Sequence, residues 1–240
     1  MKAVILAGGQ GTRLAPYTTI FPKPLVPIGN MPILEIVIRQ LIANGFEHIS
    51  LTVGYLSELI KAFFLTNRKL SSMIDIQFIE EEKPTGTAGS LCNVPDLDQT
   101  FLVMNGDILT TLNYKELVNF HKRSGALLTI AVHQKQVKID LGVLEIDQKS
   151  NQVSNYIEKP EYLFSVSMGI YVYDSEVIQY IPKNTYFDFP SLVIKLIKLG
   201  KKVKCYQSDC IWLDIGNAED YANAQNIFQQ HRAEFNMVDT

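Results

Sequence analysis

Cysteine is scarce in this sequence, positive charge is not in excess, and no long apolar run occurs. The three cysteines, Cys92, Cys205 and Cys210, are odd in number and form no C-x-x-C pair. That excludes the usual patterns of a disulfide framework or a zinc knuckle and points to reduced thiols in the cytoplasm. The formal net charge of -3 argues against a general nucleic-acid binder, which is normally basic. A local cluster of Lys and Arg can still meet small anionic substrates on such a chain. No stretch approaches the roughly 20 apolar residues of a membrane span. The opening Met1 to Leu6 resembles a secretory leader only until Gly8-Gly9 cuts it short. The expectation is a soluble, cytoplasmic protein that engages neither membrane nor nucleic acid.

A chain of 240 residues that is 47% hydrophobic can bury a large core, so one domain spanning 1–240 is expected. The short apolar run Ala3–Ala7 reads as a buried strand, Ile49–Val53 as a second buried strand, and Ile74–Ile79 and Thr100–Met104 as a third and a fourth strand. Helical spacing over Pro32–Asn44 and Ser57–Leu65 fills the gaps, with Gly45 past the first helix and Ser57 as cap of the second. This alternation predicts an α/β, Rossmann-like fold with a mostly parallel sheet flanked by helices. After about residue 125, strands at Ala126–Val132, Gly142–Ile146, Val153–Ile157 and Val166–Tyr173 are separated by short polar turns and predict a mixed layer. Helices return at Phe189–Leu199 and Asn217–Gln229, and the polar tail after about Gln230 is expected to fray.

Leu6-Ala7-Gly8-Gly9-Gln10-Gly11-Thr12-Arg13-Leu14 follows the first strand directly. Glycines there let backbone N–H groups approach a phosphate. The loop lacks the G-K-S/T of a Walker motif, and Leu14 stands where a dinucleotide fingerprint needs its third glycine. Arg13 and the Pro22-Lys23-Pro24 triplet add two cations within one connection, and the prolines stiffen the backbone that carries Lys23.

Together, G-G-x-G-T-R-L-x-P-x-T and the later P-K-P resemble the signature of sugar-1-phosphate nucleotidylyltransferases, the nucleoside-diphosphate-sugar pyrophosphorylases. The resemblance runs over about residues 2 to 228. It implies that Leu6, Ala7, Gly8, Gly9, Gly11, Thr12 and Arg13 wrap a nucleoside triphosphate. Arg13 and Lys23 then become the catalytic cations that contact the phosphates and steady departing pyrophosphate. Glu82-Lys83-Pro84-Thr85-Gly86-Thr87-Ala88-Gly89 resembles the segment that passes beside the base, with Glu82, Gly86 and Thr87 as nucleotide contacts and Thr85 in place of the usual Leu.

Val103-Met104-Asn105-Gly106-Asp107 and Trp212-Leu213-Asp214-Ile215-Gly216 resemble the two segments whose aspartates hold Mg²⁺. The ends of strands are where open α/β sheets bind ligands. As residues alone, the two acids also read as a turn residue and a helix cap. Tyr156-Ile157-Glu158-Lys159-Pro160 resembles the sugar-phosphate segment, in which Glu158 takes sugar hydroxyls and Lys159 the phosphate. Gly142, Ser167 and Gly169 match further sugar-side positions, with Leu141 and Ser167 departing from the family's Tyr and Asn.

The implied reaction joins a nucleoside triphosphate to a sugar 1-phosphate and releases pyrophosphate. Residues up to about 110 serve the nucleotide, and about 111–230 the sugar phosphate. GTP is the favoured donor by likeness to short bacterial guanylyltransferases, with thymidylyl transfer as its rival. A dianionic phosphate nucleophile needs no general base, which agrees with His48, His121, His133 and His231 lying outside the matched motifs. A glycosyltransferase explains Asp107 but not the loop or Lys23, and a nucleotide-sugar sensor predicts loss of Arg13, Lys23, Asp107 or Asp214. Relatives often form dimers or tetramers, so a homodimer or homotetramer is the implied assembly.

Overall fold

The computed structural model describes residues 1–81 and 83–235. In chain order the strands are β1 (Lys2–Ala7), β2 (Pro27–Ile28), β3 (Met31–Pro32), β4 (His48–Val53), β5 (Asp75–Glu80), β6 (Phe101–Asn105), β7 (Ile108–Thr110), β8 (Leu128–Lys138), β9 (Val143–Asp147), β10 (Gln152–Ile157), β11 (Glu161–Tyr173), β12 (Val203–Gln207) and β13 (Trp212–Asp214). The helices are α1 (Ile33–Ala43), α2 (Ser57–Thr66), α3 (Arg68–Ser71), α4 (Gly86–Gly89), α5 (Tyr114–Ser124), α6 (Phe189–Lys198) and α7 (Ala218–Gln230).

Seven strands form one sheet in the order β12-β8-β11-β6-β1-β4-β5, and only β11 runs against the others. The apolar content of β1 sets this arrangement. Side chains of a strand alternate between faces, so Ala3, Ile5 and Ala7 enter one core while Val4 enters another on the opposite face. Helix α1 covers the first face with Leu34, Val37, Ile38 and Leu41, and α6 covers the second with Leu192 and Leu196. A strand buried on both faces reads as a continuous apolar run, which is why the central strands were visible in the sequence.

The second half differs from expectation. Strands β8, β11 and β12 continue the same sheet instead of adding a layer, while the hairpin β9–β10 and strand β13, which pairs with β7, stand apart from it. Strands β8 and β11 are longer than predicted and pair out to Lys138↔Glu161. Their distal residues, Val137, Tyr162, Leu163 and Phe164 among them, are exposed, so no one-sided burial imprints an alternation there. Helix α5 and strand β12 were not anticipated. The signals for α5 were nevertheless present: Asn113 accepts from the Glu116 backbone N–H as N-cap, and Gly125 closes the helix at φ 58°.

Two smaller readings change. Leu56, at φ 55°, takes the N-cap position of α2, so Ser57 is its first residue and caps nothing. The chain after Gln230 is held at least to Phe235, which is fully buried against Phe228. Among the described residues, no helix is long and apolar enough to cross a membrane.

Candidate functional site

All strands parallel to β1 end at one edge of the sheet, and a cavity of about 460 Å³ opens there. Its wall includes Leu6, Ala7, Gly8, Gly9, Gly11, Thr12, Arg13, Lys23, Gly86, Thr87 and Asp107. These are the residues that the sequence singled out for a nucleotide, except Glu82, which lies outside the described residues. Pro24, Thr52, Glu81, Pro84, Ser90, Asn105, Gly106 and Tyr186 complete the lining.

Glycine is needed at position 11 for two reasons. Its φ is +61°, and a methyl group there would lie 3.0 Å from Thr18 Cγ2 and 3.1 Å from Lys23 Cβ. The Thr18 hydroxyl donates to the Gly11 carbonyl at 2.8 Å and fixes this turn. The loop thus packs directly on the stem of Lys23. Pro22 is extended and Lys23 begins a 3-10 turn, closed by the Leu25 N–H donating to the Pro22 carbonyl at 2.8 Å. Lys23 is buried, and its Nζ donates to Asp107 Oδ2 at 2.5 Å.

Asp107 follows β6 in the turn that enters β7, where the Gly106 N–H donates to the Leu6 carbonyl at 2.8 Å. Asp214 ends β13, which pairs with β7 and sets Asp214 opposite Ile108. The Ile215 N–H donates to the Asp107 carbonyl at 3.3 Å. The fold therefore brings together two acids from distant parts of the chain. Asp214 keeps a solvent-accessible edge, but partial enclosure of its carboxyl raises its pKa from the ordinary value. The negative charge of Asp107 adds to that rise, while Lys23 and Arg13 oppose it. Asp214 caps no helix: Asn217 caps α7, accepting from the backbone N–H groups of Glu219 and Asp220.

Arg13 is exposed, and no hydrogen bond or ion pair among the described residues holds its guanidinium. Its Nη1 would lie 3.9 Å from a methyl group on Gly216, just beyond Asp214. Two acids and two cations thus lie close together: Arg13, Lys23 and Asp107 line the glycine-rich cavity, and Asp214 sits beside Asp107 outside that lining. Apart from Asp107 and Asp214, no further His, Cys, Asp or Glu among the described residues joins them to make a cluster of three. A divalent ion held there would take its other ligands from substrate phosphates or water, as magnesium commonly does.

Gly142, Glu158, Lys159, Ser167 and Gly169 do not line this cavity. Gly169, at φ +74°, backs onto it: a methyl group there would lie 2.7 Å from Asn105 Nδ2. Ser167 accepts from the Gly169 N–H at 3.3 Å. Strands β8 and β11 run on beyond the edge at which the cavity opens. Near their tips, Glu158 and Lys159 follow β10, both exposed. Tyr156 donates its hydroxyl to Glu158 at 2.8 Å, and its ring occupies the space a side chain at Gly142 would need. Lys159 has φ 46°, a strained conformation for a side-chain-bearing residue.

Sequence reasoning missed Glu81 and Tyr186. The Glu81 carboxylate accepts from the Thr85 hydroxyl on one side and lies 3.4 Å from the position of a methyl group on Gly8 on the other. Next to the more recognisable Glu82, it carried no separate signal. None of the four histidines lines the cavity.

The family model described as nucleotidyl transferase matches residues 2–231 of this chain. The chain is 34% identical to a UTP–glucose-1-phosphate uridylyltransferase of Synechocystis sp., with 93% of this chain and 62% of that protein covered. It is 31% identical to mannose-1-phosphate guanyltransferase beta-A of Xenopus laevis, with 96% and 65% covered. It is 33% identical to a mannose-1-phosphate guanyltransferase of Candida albicans, with 95% and 64% covered. The chain thus spans just under two thirds of the length of these curated relatives. Among solved structures, HddC from Yersinia pseudotuberculosis superposes with a TM-score of 0.73 at 28% identity, covering 95% of this chain and 99% of that one. The same protein complexed with GMP-PN gives 0.72.

Proposed function

Because the chain belongs to the nucleotidyl transferase family, we propose that it transfers a nucleoside monophosphate from a nucleoside triphosphate to a sugar 1-phosphate. The observation that carries this reading is that Arg13, Lys23 and Asp107 line one glycine-rich cavity, with Asp214 set beside Asp107 just outside its lining. An oxygen of the sugar phosphate attacks the α-phosphorus, the bond to the bridging oxygen breaks, and pyrophosphate leaves with its electron pair. The nucleophile is mostly dianionic at neutral pH, so no general base is required.

The difficulty is charge, since each unit pair of like charges at about 4 Å costs about 4 kcal/mol at an effective dielectric of 20. Positioning and positive charge are therefore the main tasks of the protein. Arg13, which forms no ion pair among the described residues, is available to the phosphates. Lys23 compensates Asp107 and points its ammonium at the same space. Asp107 and Asp214 would hold Mg²⁺, which when bound offsets phosphate charge. Their fit to a hard cation is supported by the donor set: two oxygen-bearing carboxylates brought together by the pairing of β7 with β13.

The residues up to about 110 would serve the nucleotide. The arm of β8, β11 and the β9–β10 hairpin, with Gly142, Glu158, Lys159, Ser167 and Gly169, would serve the sugar phosphate. GTP is the donor this reading favours. The Glu81 carboxylate offers only acceptors beside the glycine loop, and guanine presents two adjacent N–H donors. The Watson–Crick edge of thymine or uracil has one donor between two acceptors, which a carboxylate meets less well. The solved HddC complex with GMP-PN is in keeping with a guanine donor. The reading implies a cytoplasmic enzyme with small-molecule partners, and a homodimer or homotetramer as its assembly.

A crossed panel of four nucleoside triphosphates against several sugar 1-phosphates, read by magnesium-dependent pyrophosphate release, tests the proposal. The highest kcat/KM is expected with GTP. Clearly higher values with dTTP across the panel refute the base assignment, and no release from any pair refutes the reaction.

A further inference from the structure

Tyr186 is an exposed aromatic on a loop that has no freedom to wander. Its neighbours Phe187 and Phe189 pack against the core, Phe189 stacking on Tyr171 with ring centres 3.8 Å apart. The backbone on either side is tied to the Gly86 segment. The Phe187 N–H donates to the Thr85 carbonyl at 2.8 Å, the Gly89 N–H to the Phe187 carbonyl at 2.8 Å, and the Phe189 N–H to the Thr87 hydroxyl at 2.8 Å. Gly86, at φ +85°, allows this approach, since a methyl group there would sit 2.7 Å from the Phe187 carbonyl oxygen.

The alternation that sends Phe187 and Phe189 inward leaves Tyr186 on the wall of the cavity, 68% exposed. No hydrogen bond among the described residues engages its hydroxyl. Single exposed aromatics are ordinary. This one differs because its anchored neighbours hold it on a cavity wall that it shares with Pro84, Gly86 and Ser90, with most of its surface exposed.

We propose that Tyr186 is a nucleobase-binding residue, whose ring stacks on the base of the triphosphate and favours purines over pyrimidines. The inference rests on the reading of the cavity as a nucleoside-triphosphate site. Every base has a π-face, so stacking supplies affinity. The larger overlap with a two-ring base supplies the preference, independently of hydrogen bonding by Glu81. A ring held ready on an anchored loop loses little freedom when the base arrives.

Equilibrium binding of GTP, ATP, dTTP and UTP to the full chain, measured by calorimetry for wild type, Tyr186→Phe and Tyr186→Ala, tests this. In Tyr186→Ala, GTP and ATP should bind roughly 5- to 150-fold more weakly, the range expected for one base–aromatic stack. The pyrimidine triphosphates should lose less. Tyr186→Phe should bind like wild type, and all three proteins should melt alike because the side chain is exposed. Unchanged GTP affinity in Tyr186→Ala overturns the stacking role while leaving the nucleotide site intact. Equal losses for all four triphosphates overturn the purine preference. Failure of the wild type to bind any of the four overturns the nucleotide site and the role of Tyr186 with it.

Discussion

At the scale of single residues, the side chains that matter are those whose charge has been displaced from water. His121 is one outside the cavity: buried, with Nδ1 2.9 Å from the Thr129 hydroxyl. Burial lowers its pKa below the usual 6.5, Lys122 adds to the fall, and Asp174 opposes it. The unfolded chain therefore takes up a proton, as pH drops through about 6.5, that the native state refuses. Stability contributed by the neutral imidazole is present above that pH and is lost as pH falls toward the lower native value. Thermal melts of wild type and His121→Gln between pH 5 and 8 should show a steeper acid decline in wild type, and parallel curves would refute this. Lys159 is the opposite case, an exposed cation proposed to meet only the acceptor phosphate. Removing one charge-assisted hydrogen bond costs roughly 1.5–3 kcal/mol. Lys159→Ala should raise KM for the sugar phosphate by about 10- to 150-fold and leave that for the triphosphate nearly unchanged. Equal effects on both would show the residue to be misassigned.

At the scale of elements, two of the three glycines in the loop, Gly9 and Gly11, have different duties. Gly11 is required by the fold, through its positive φ and its contact with Thr18 and Lys23. Gly9 has a backbone any residue can adopt, and a methyl group there meets nothing within 4 Å, yet it lines the cavity. Gly11→Ala forces a left-handed conformation worth roughly 1–2 kcal/mol. The melting temperature should drop by about 2–8 °C in a chain of this size, with activity falling as Lys23 is pushed aside. Gly9→Ala should melt like wild type but bind the triphosphate more weakly. A normal triphosphate KM in Gly9→Ala would remove the loop from the nucleotide site. Which elements were legible follows the same logic of burial. Strands β1 and β6 are covered on both faces and announced themselves as apolar runs, while β4 alternates Ile49, Leu51 and Val53 with the buried polar Ser50 and Thr52. The ends of β8 and β11 stand free of the core, so their sequence carries no periodicity to read. Helix α5 was legible in its Asn113 and Gly125 caps but has only a narrow apolar face, formed by Tyr114, Leu117, Val118 and His121.

At the scale of the whole molecule, the sequence could nominate Asp107 and Asp214 but could not show that β7 and β13 pair and bring them together. Nor could it reveal that Lys23 lies on Asp107, because that contact joins a 3-10 turn to a strand end through tertiary structure alone. This contact makes the two acids unequal. If both reach one Mg²⁺, Asp107→Asn and Asp214→Asn each remove a hard anionic ligand while keeping the shape. Several kcal/mol of transition-state stabilisation should disappear, so turnover should fall by about a hundredfold or more in either variant. The double variant should be little worse than a single one, because both groups serve one ion. Stability should separate them. Asp214→Asn relieves repulsion from Asp107 and should hold or raise the melting temperature. Asp107→Asn leaves the buried ammonium of Lys23 without its carboxylate and should lower it, since a buried charge stripped of its partner is strongly destabilising. Restoring balance with Lys23→Met in the Asp107→Asn background should recover stability but not turnover. Magnesium titrations of activity, with melting curves on the same four proteins, decide the matter. Near-normal magnesium-dependent turnover in either single variant would overturn the two-carboxylate site. Equal melting temperatures for the two single variants would show that the Lys23–Asp107 pair contributes nothing to the fold.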